Sequence, residues 1–196
     1  MIYENSLKTI SALAFLFSLN IDAQEVHLKN IKKLTFGGDN AEAYFSPDNN
    51  KLTLQVTNPQ IGAACDQIYL MDLQNLKGDA SDLKLISTGN GRTTCSFFMP
   101  DGKHILYAST HEADLKCPPK PAPRSDGKYL WPIYDSFDIY IADLSGNIVK
   151  KLTNEAGYDA EAVVSPDGKY IVFTSTRSGD LELWRMDIDG KNLKQL

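Results

Sequence analysis

The sequence is poor in the residues that carry most enzyme and metal chemistry. Its 196 residues include three histidines and three cysteines, and neither type occurs at the CxxC or HxxxH spacing that is typical of metal sites. The Gly-x-Ser-x-Gly turn that presents a nucleophilic serine in many hydrolases is also absent. We therefore expect no catalytic residues, no metal and no cofactor in this chain.

Basic charge and helical patterning are scarce as well. Lys and Arg number 20 against 25 Asp and Glu, which gives a net charge of −5. A chain with this balance and no basic stripe is not expected to bind nucleic acid. The mature sequence also has no segment with the apolar period of an amphipathic helix, so an all-β fold is expected.

Long apolar runs are missing too. The main apolar run, Thr9 to Leu19, is too short to span a bilayer comfortably. It follows Lys8 and precedes Ile21-Asp22-Ala23, which is the order of a secretory signal peptide cleaved after Ala23. We expect a signal peptide over residues 1–23 and a periplasmic or secreted mature protein with no membrane span after cleavage. An interfacial or buried N-terminal helix is the alternative.

What the sequence does contain is one turn in three copies. Each copy has an apolar strand before the turn and a second strand after it; the turns are Ser46-Pro47-Asp48-Asn49, Met99-Pro100-Asp101-Gly102 and Ser165-Pro166-Asp167-Gly168. Proline presets φ, aspartate bonds nearby amides, and glycine or asparagine accepts a positive φ. A third strand then ends on an aspartate, and a fourth strand follows; these aspartates are Asp72, Asp143 and Asp187.

Four antiparallel strands per copy are typical of the blades of a β-propeller rather than of a β-sandwich. We expect a repeat region over residues 24–196, with blades at about 39–88, 92–153 and 158–196. Residues 30–35 match Asn147 to Thr153 closely and are expected to form an orphan strand that closes the ring.

The number of copies is low for a closed ring. Rings of roughly four to eight blades are usual, so three blades predict a fragment or a truncated product unless copies assemble. Unpaired strand edges on the terminal blades predict self-association.

These repeats resemble the TolB-like, WD-repeat-like propellers of bacterial periplasmic proteins. The resemblance is carried by the Pro-Asp turns, by the Leu34-Thr35 and Leu152-Thr153 pairs and by Asp138-Ile139-Tyr140. It covers nearly all of residues 30–196 and implies the propeller fold, whereas the same repeat serves many functions. TolB proteins proper add an N-terminal α/β domain and have six blades, so this chain is TolB-like and not TolB itself.

All three cysteines are expected on the face opposite the Pro-Asp turns. Cys65 precedes a third strand, Cys95 lies early in a first strand, and Cys117 lies in the second loop between strands two and three. In an oxidising compartment we expect one disulfide between two of the three, without knowing which two. Three unpaired thiols, or a metal site that joins cysteine to His111, are the alternatives.

The position five before each turn proline carries Glu42, Cys95 and Glu161. The first strand of a propeller blade is innermost, so these side chains are expected near the mouth of the central channel. Two carboxylates there would attract a cation or a basic peptide. Alternatively, the acids cap neighbouring strand ends or pair with Arg92.

The longest connection runs from His111 to Asp135 and combines a run of prolines with aromatic residues. A proline-stiffened loop with exposed rings suits recognition, and packing of the same rings over the blade is an equal alternative. The candidate binding residues are therefore Glu42, Glu161, His111, Tyr129, Trp131 and Tyr134.

These features favour an exported, nonenzymatic module. It would bind a protein or an envelope polymer through the face that carries the loops between strands two and three. The alternative is the noncatalytic propeller of a larger hydrolase, similar to prolyl oligopeptidases, or a propeller lyase whose catalytic portion is absent from this chain. Clustered histidines or a hydrolase domain encoded downstream would favour the alternative.

Overall fold

The structure is a computed structural model that describes residues 27–196. These residues fold into short β-strands joined by turns and loops. The first sheet, blade 1, comprises β1 (Asp39–Phe45), β2 (Lys51–Asn58), β3 (Ala63–Asp72) and β4 (Leu83–Leu85). Blade 2 comprises β5 (Thr93–Phe98), β6 (His104–Ser109), β7 (Asp138–Asp143) and β8 (Ile148–Lys151). Blade 3 comprises β9 (Asp159–Val164), β10 (Tyr170–Ser175), β11 (Glu182–Asp187) and β12 (Lys194–Gln195).

All three sheets have the same topology. The strands of each sheet lie in sequence order, and every neighbouring pair is antiparallel. Two single-turn 3₁₀ helices, Pro59–Ile61 and Ala80–Asp82, lie in the connections of blade 1. Within residues 27–196 no helix has the length and apolar character that crossing a membrane requires. The expected all-β fold of three four-stranded antiparallel sheets is confirmed, while the expected signal peptide lies outside the described residues.

The Pro-Asp turns are held by their own side chains. In the first turn Ser46 Oγ donates to Asp48 Oδ1 at 2.6 Å, and the same oxygen accepts the Asn50 backbone N–H at 3.1 Å. The third turn repeats the first bond, from Ser165 Oγ to Asp167 Oδ1 at 2.7 Å. Serine and aspartate are therefore in these turns because together they satisfy the polar groups of a tight reversal.

The second turn is also stabilised by hydrogen bonds of its aspartate, but with different neighbours. Met99 stands where the other turns have serine, and Asp101 accepts the Lys103 backbone N–H at 2.8 Å. Asp101 Oδ2 also lies 2.6 Å from His104 Nδ1. His104 thus belongs to the turn, at the end of the blades opposite the long loop.

Burial on both faces of blade 2 holds the three sheets together. Along β6, Ile105 and Tyr107 belong to the apolar cluster shared with blade 1, whereas Leu106 and Ala108 belong to the cluster shared with blade 3. Successive residues of a strand point to opposite faces, so the apolar run of β6 supplies both interfaces. Each fully buried large apolar side chain contributes about 1.5–3 kcal/mol.

The orphan strand is a correction to the sequence analysis. Residues 30–35 are not part of any strand. The outer strand of blade 3 is β12, paired to β11. Residues 34–196 form one compact unit, and residues 27–33 belong to another.

We predict that acid weakens the Pro-Asp turns. The hydrogen bonds from Ser46 and from the Asn50 backbone lower the pKa of Asp48 from 3.8 to about 2. A carboxyl whose pKa is lower in the folded state stabilises the fold above its unfolded pKa. That stabilisation is lost as the pH falls through the window from 3.8 to about 2. Thermal melts followed by circular dichroism should therefore show a melting temperature that declines across this window.

The matched variant is Asp48→Asn, which keeps an acceptor oxygen but cannot titrate. Its melting temperature should depend less on pH between 3.8 and about 2 than that of the parent protein. An unchanged pH profile in the variant would show that the Asp48 hydrogen bonds do not contribute.

Candidate functional site

A β-bulge interrupts the inner strand of every blade at the same repeat position. The pairing register shifts within β1, β5 and β9, and the bulge residues Glu42, Cys95 and Glu161 have φ values of 52°, 43° and 57°. Left-handed backbone is uncommon for residues other than glycine. Bulges of this kind change the direction of a side chain, and these three are the side chains that the sequence places near the channel.

The three bulge residues meet in one cavity, which we call the bulge cavity. It has a volume of about 310 Å³ and is lined by Glu42, Tyr44, Cys95, Ser96, Trp131, Glu161, Ala162 and Val163. One carboxylate comes from blade 1 and the other from blade 3, and Trp131 comes from the long loop of blade 2. The structure thus brings together three of the six candidate binding residues.

The two carboxylates accept hydrogen bonds from neutral groups. Glu42 Oε2 accepts from Tyr44 OH at 3.2 Å and lies 3.7 Å from Cys95 Sγ. Glu161 accepts from Tyr158 OH at 3.3 Å and from Thr174 Oγ1 at 3.2 Å. These bonds orient both carboxylates without neutralising their charge.

Pairing of the bulge acids with Arg92, one of the alternatives, is not seen. Arg92 Nη1 lies 3.5 Å from Asp66 Oδ2 instead. Among residues 27–196, neither Glu42 nor Glu161 forms an ion pair with Lys, Arg or His. Two negative charges therefore face one cavity without a cationic partner from the described chain.

The pKa of the neighbouring groups reports this negative field. Burial, with smaller contributions from the charges of Glu42 and Glu161, raises the pKa of Cys95 to about 12, so the thiol is neutral at pH 7. Burial and the charge of Glu42 also raise the pKa of Tyr44. Burial raises the pKa of Tyr158, and Glu161 adds to the shift.

A disulfide joins the long loop to blade 1. Cys65 of β3 is bonded to Cys117, with a Cα–Cα distance of 5.9 Å across a sequence separation of 52 residues. Cys65 is buried and also contacts the Gly91 carbonyl oxygen at 3.0 Å. Cys95 is left as a free thiol. The disulfide fixes the base of the loop between β6 and β7.

The aromatic residues of the loop divide into exposed and packed ones. Tyr129 is 79% exposed and Trp131 is 53% exposed, with their rings edge to face at 6.0 Å. Tyr134 donates from its hydroxyl to the Pro119 carbonyl at 2.9 Å, and its ring packs 6.2 Å from that of Phe137. Tyr129 and Trp131 are thus exposed, whereas Tyr134 is packed.

A second, larger cavity lies between the loop and the edge of blades 1 and 2. It has a volume of about 500 Å³. Blade residues and loop residues both line it: Asp39, Thr57, Asp66 and Arg92 from the blades, and 120–124, 127–130 and Pro132 from the loop. Tyr129 belongs to this cavity and not to the bulge cavity.

His111 lines neither cavity. Its Nδ1 lies 2.9 Å from Ser109 Oγ, its ring packs 4.6 Å from that of Tyr140, and burial lowers its pKa. Ser109 itself is fully buried. In blade 3 the equivalent Ser175 Oγ accepts the same kind of bond from Arg177 Nε at 2.8 Å, which indicates a structural role.

Other chemistry has little support in residues 27–196. They contain no group of three or more His, Cys, Asp or Glu side chains placed to hold a metal ion.

Tyr44 and Tyr158, which orient the two carboxylates, were not identified from the sequence. The signal that could have identified them is their spacing of two or three residues from the bulge acids.

Sequence comparison gives short matches. No family model matches the chain. An uncharacterized protein of Agrobacterium fabrum is 35% identical over 60 residues, which is 31% of this chain and 20% of the relative. The Tol-Pal system protein TolB of Bordetella pertussis is 38% identical over 53 residues, which is 26% of this chain and 12% of the relative.

Structural comparison gives matches over most of the chain. A protein assigned as TolB from Agrobacterium tumefaciens matches with a TM-score of 0.54 and 24% identity, over 82% of this chain and 48% of the other. TolB from Acinetobacter baumannii matches with a TM-score of 0.51 and 24% identity, over 81% of this chain and 32% of the other. A puromycin-hydrolyzing peptidase of Mycobacterium tuberculosis matches with a TM-score of 0.51 and 14% identity, over 82% of this chain and 23% of the other.

These likenesses concern the fold. The expected resemblance to TolB-like propellers is confirmed, and the identities to the solved structures are too low to carry more than the architecture. The chain spans about half the length of the Agrobacterium tumefaciens protein, a third of the Acinetobacter baumannii one, and a smaller part of the curated relatives.

We predict that the bulge acids cost stability. Glu161→Gly and Glu161→Ala both remove the bonds to Tyr158 and Thr174, but only glycine accepts a φ of 57° without strain. The glycine variant should therefore have the larger free energy of unfolding, by about 1 kcal/mol, measured by urea denaturation.

Glu182, which is exposed at the start of β11, is the control position. Its backbone is not among those with positive φ, so the order should be reversed there, with Glu182→Ala more stable than Glu182→Gly. If the alanine variant were the more stable one at both positions, the bulge would store no strain.

Proposed function

We propose that this chain is an exported TolB-like propeller module that binds a protein or an envelope polymer through the face carrying the long loop. The observation that carries the proposal is the loop itself. It is anchored by the Cys65–Cys117 disulfide and presents exposed apolar side chains beside two cavities.

Export has two supports of different kinds. The order of Lys8, the apolar run Thr9 to Leu19 and Ala23 is that of a signal peptide. The disulfide is the second, because disulfides persist mainly in oxidising compartments such as the periplasm. A periplasmic or secreted location is consistent with both.

The composition of the loop surface supports recognition. Its exposed apolar residues are Leu115, Tyr129, Leu130, Trp131 and Ile133, at 67%, 79%, 45%, 53% and 41% exposure. Large apolar side chains grouped on one surface commonly mark interaction sites. Aromatic residues are frequent among the side chains that contribute most to binding. The Pro-Asp turns at the other end of the blades are polar, and their side chains hydrogen-bond within the turn, so we assign them a structural role.

A second candidate is the noncatalytic propeller of a larger hydrolase. It is favoured by the shared fold with the puromycin-hydrolyzing peptidase, of which this chain spans about a quarter. The propeller lyase alternative has less support, since such chemistry requires clustered histidines and the chain has three in all. Self-association through open blade edges stays a prediction under either reading.

Site-specific photocrosslinking tests the proposal. p-Benzoylphenylalanine placed at Tyr129 should give discrete covalent adducts with an envelope protein or glycan when cells producing the full chain are irradiated. Tyr129 is the most exposed ring of the loop, and the probe keeps an aromatic side chain there. Adducts are identified by mass spectrometry.

The matched control carries the same probe at Lys103, an exposed residue of the second Pro-Asp turn on the opposite face. It should give none of these adducts. Equal adducts at both positions, or none at position 129, would contradict a binding role for the loop face. Adducts confined to a hydrolase domain of the same polypeptide would favour the second candidate.

A further inference from the structure

The bulge cavity has a property that binding through the exposed loop does not explain. Glu42 and Glu161 come from two different blades and converge on one cavity, and within residues 27–196 neither has a cationic partner. Bringing like charges together without a counter-charge is unfavourable. A cation that enters the cavity would relieve this repulsion.

The neighbours of the carboxylates suit an organic cation. Trp131 and Tyr44 contribute rings to the cavity wall, and aromatic faces attract ammonium and guanidinium groups, most strongly where water is partly excluded. Glu42 is already oriented by Tyr44, and Glu161 by Tyr158 and Thr174. A cation would therefore find acceptors whose geometry is set in advance.

The size of the cavity restricts what enters. Its volume of about 310 Å³ lies at the small end of ligand pockets, which leaves room for the head and part of the stem of one long side chain. Trp131 of the loop, which is 53% exposed, is one of the lining residues. A segment bound on the loop face could place one side chain in the cavity.

From this arrangement we infer that the bulge cavity takes a single arginine or lysine side chain of a partner protein. Glu42 and Glu161 bind its charge, and Trp131 and Tyr44 pack against its apolar stem and cationic head. The inference deepens the proposed function, on which it rests, by giving the partner segment a chemical requirement. Arginine is the better fit, because its planar guanidinium can bond two carboxylates and stack on a ring at once.

Isothermal titration calorimetry with a minimal probe tests the inference. N-acetyl-L-arginine amide is titrated into the full chain, and N-acetyl-L-citrulline amide serves as the control because it has nearly the same shape without the charge. The arginine probe should bind at least about tenfold more tightly than citrulline, since a charge-assisted contact is worth about one decade or more. Equal binding of the two probes would overturn the inference.

Variants of the cavity identify the binding groups. Glu42→Gln and Glu161→Gln keep an acceptor oxygen and remove the charge, and each should weaken the arginine probe by about fivefold or more. Trp131→Ala should weaken it by about threefold. Glu182→Gln removes an exposed charge outside the cavity and should leave the affinity within about twofold. A loss in Glu182→Gln equal to the losses in Glu42→Gln and Glu161→Gln would show nonspecific charge attraction and overturn the site.

Failure here can be separated from failure of the proposed function. Adduct formation from position 129 reports on the loop surface and does not need the cavity carboxylates. If the adducts persist in the Glu42→Gln, Glu161→Gln double variant while the parent chain ignores the arginine probe, the loop face binds a partner and the cationic side-chain site is wrong. Melting temperatures of all variants confirm that each is folded.

Discussion

The structure depends on one packing constraint, which is the burial of blade 2 on both faces. Strands β6 and β7 alternate apolar residues toward blade 1 and toward blade 3, so a single strand serves two interfaces. A one-residue shift in the pairing register would turn each of these side chains to the opposite face of the sheet and disrupt both interfaces. The Pro-Asp turn between β5 and β6 supports that register from one end of blade 2, where Asp101 accepts the Lys103 backbone N–H.

The fixed register explains how the inner strands tolerate a bulge. Glu42, Cys95 and Glu161 each hold left-handed backbone at the same repeat position, which ordinary strands avoid because of the steric cost. Each bulge places one extra residue in the inner strand relative to its pairing partner. Its side chain turns toward the neighbouring blades, and three such turns produce one cavity with two carboxylates and a neutral thiol. Local strain and the candidate site thus have the same origin.

Much of the fold can be predicted from the sequence, because turn chemistry and strand alternation are local. Asp48 of the first Pro-Asp turn bonds a turn amide as expected. The third-strand aspartates Asp72 and Asp143 also bond turn amides. The orphan strand was wrong, since a matching sequence does not supply a strand with a hydrogen-bonded neighbour. The Cys65–Cys117 pairing could not be predicted, because it depends on the path of a long loop across 52 residues. Tyr44 and Tyr158 were missed for a similar reason, as their contacts arise only after the bulge redirects the acids.

The central claim is that two blades together create a negative field around Cys95. Cys95 is the free cysteine of the described chain. A cationic and an anionic methanethiosulfonate reagent each convert its thiol to a mixed disulfide with release of methanesulfinate, and the two rates, each divided by the rate with free 2-mercaptoethanol, measure that field directly. The cationic reagent should react at least about tenfold faster at low salt, and the ratio should fall toward one in the Glu42→Gln, Glu161→Gln double variant. Equal rates for the two reagents in the parent chain would contradict the claim.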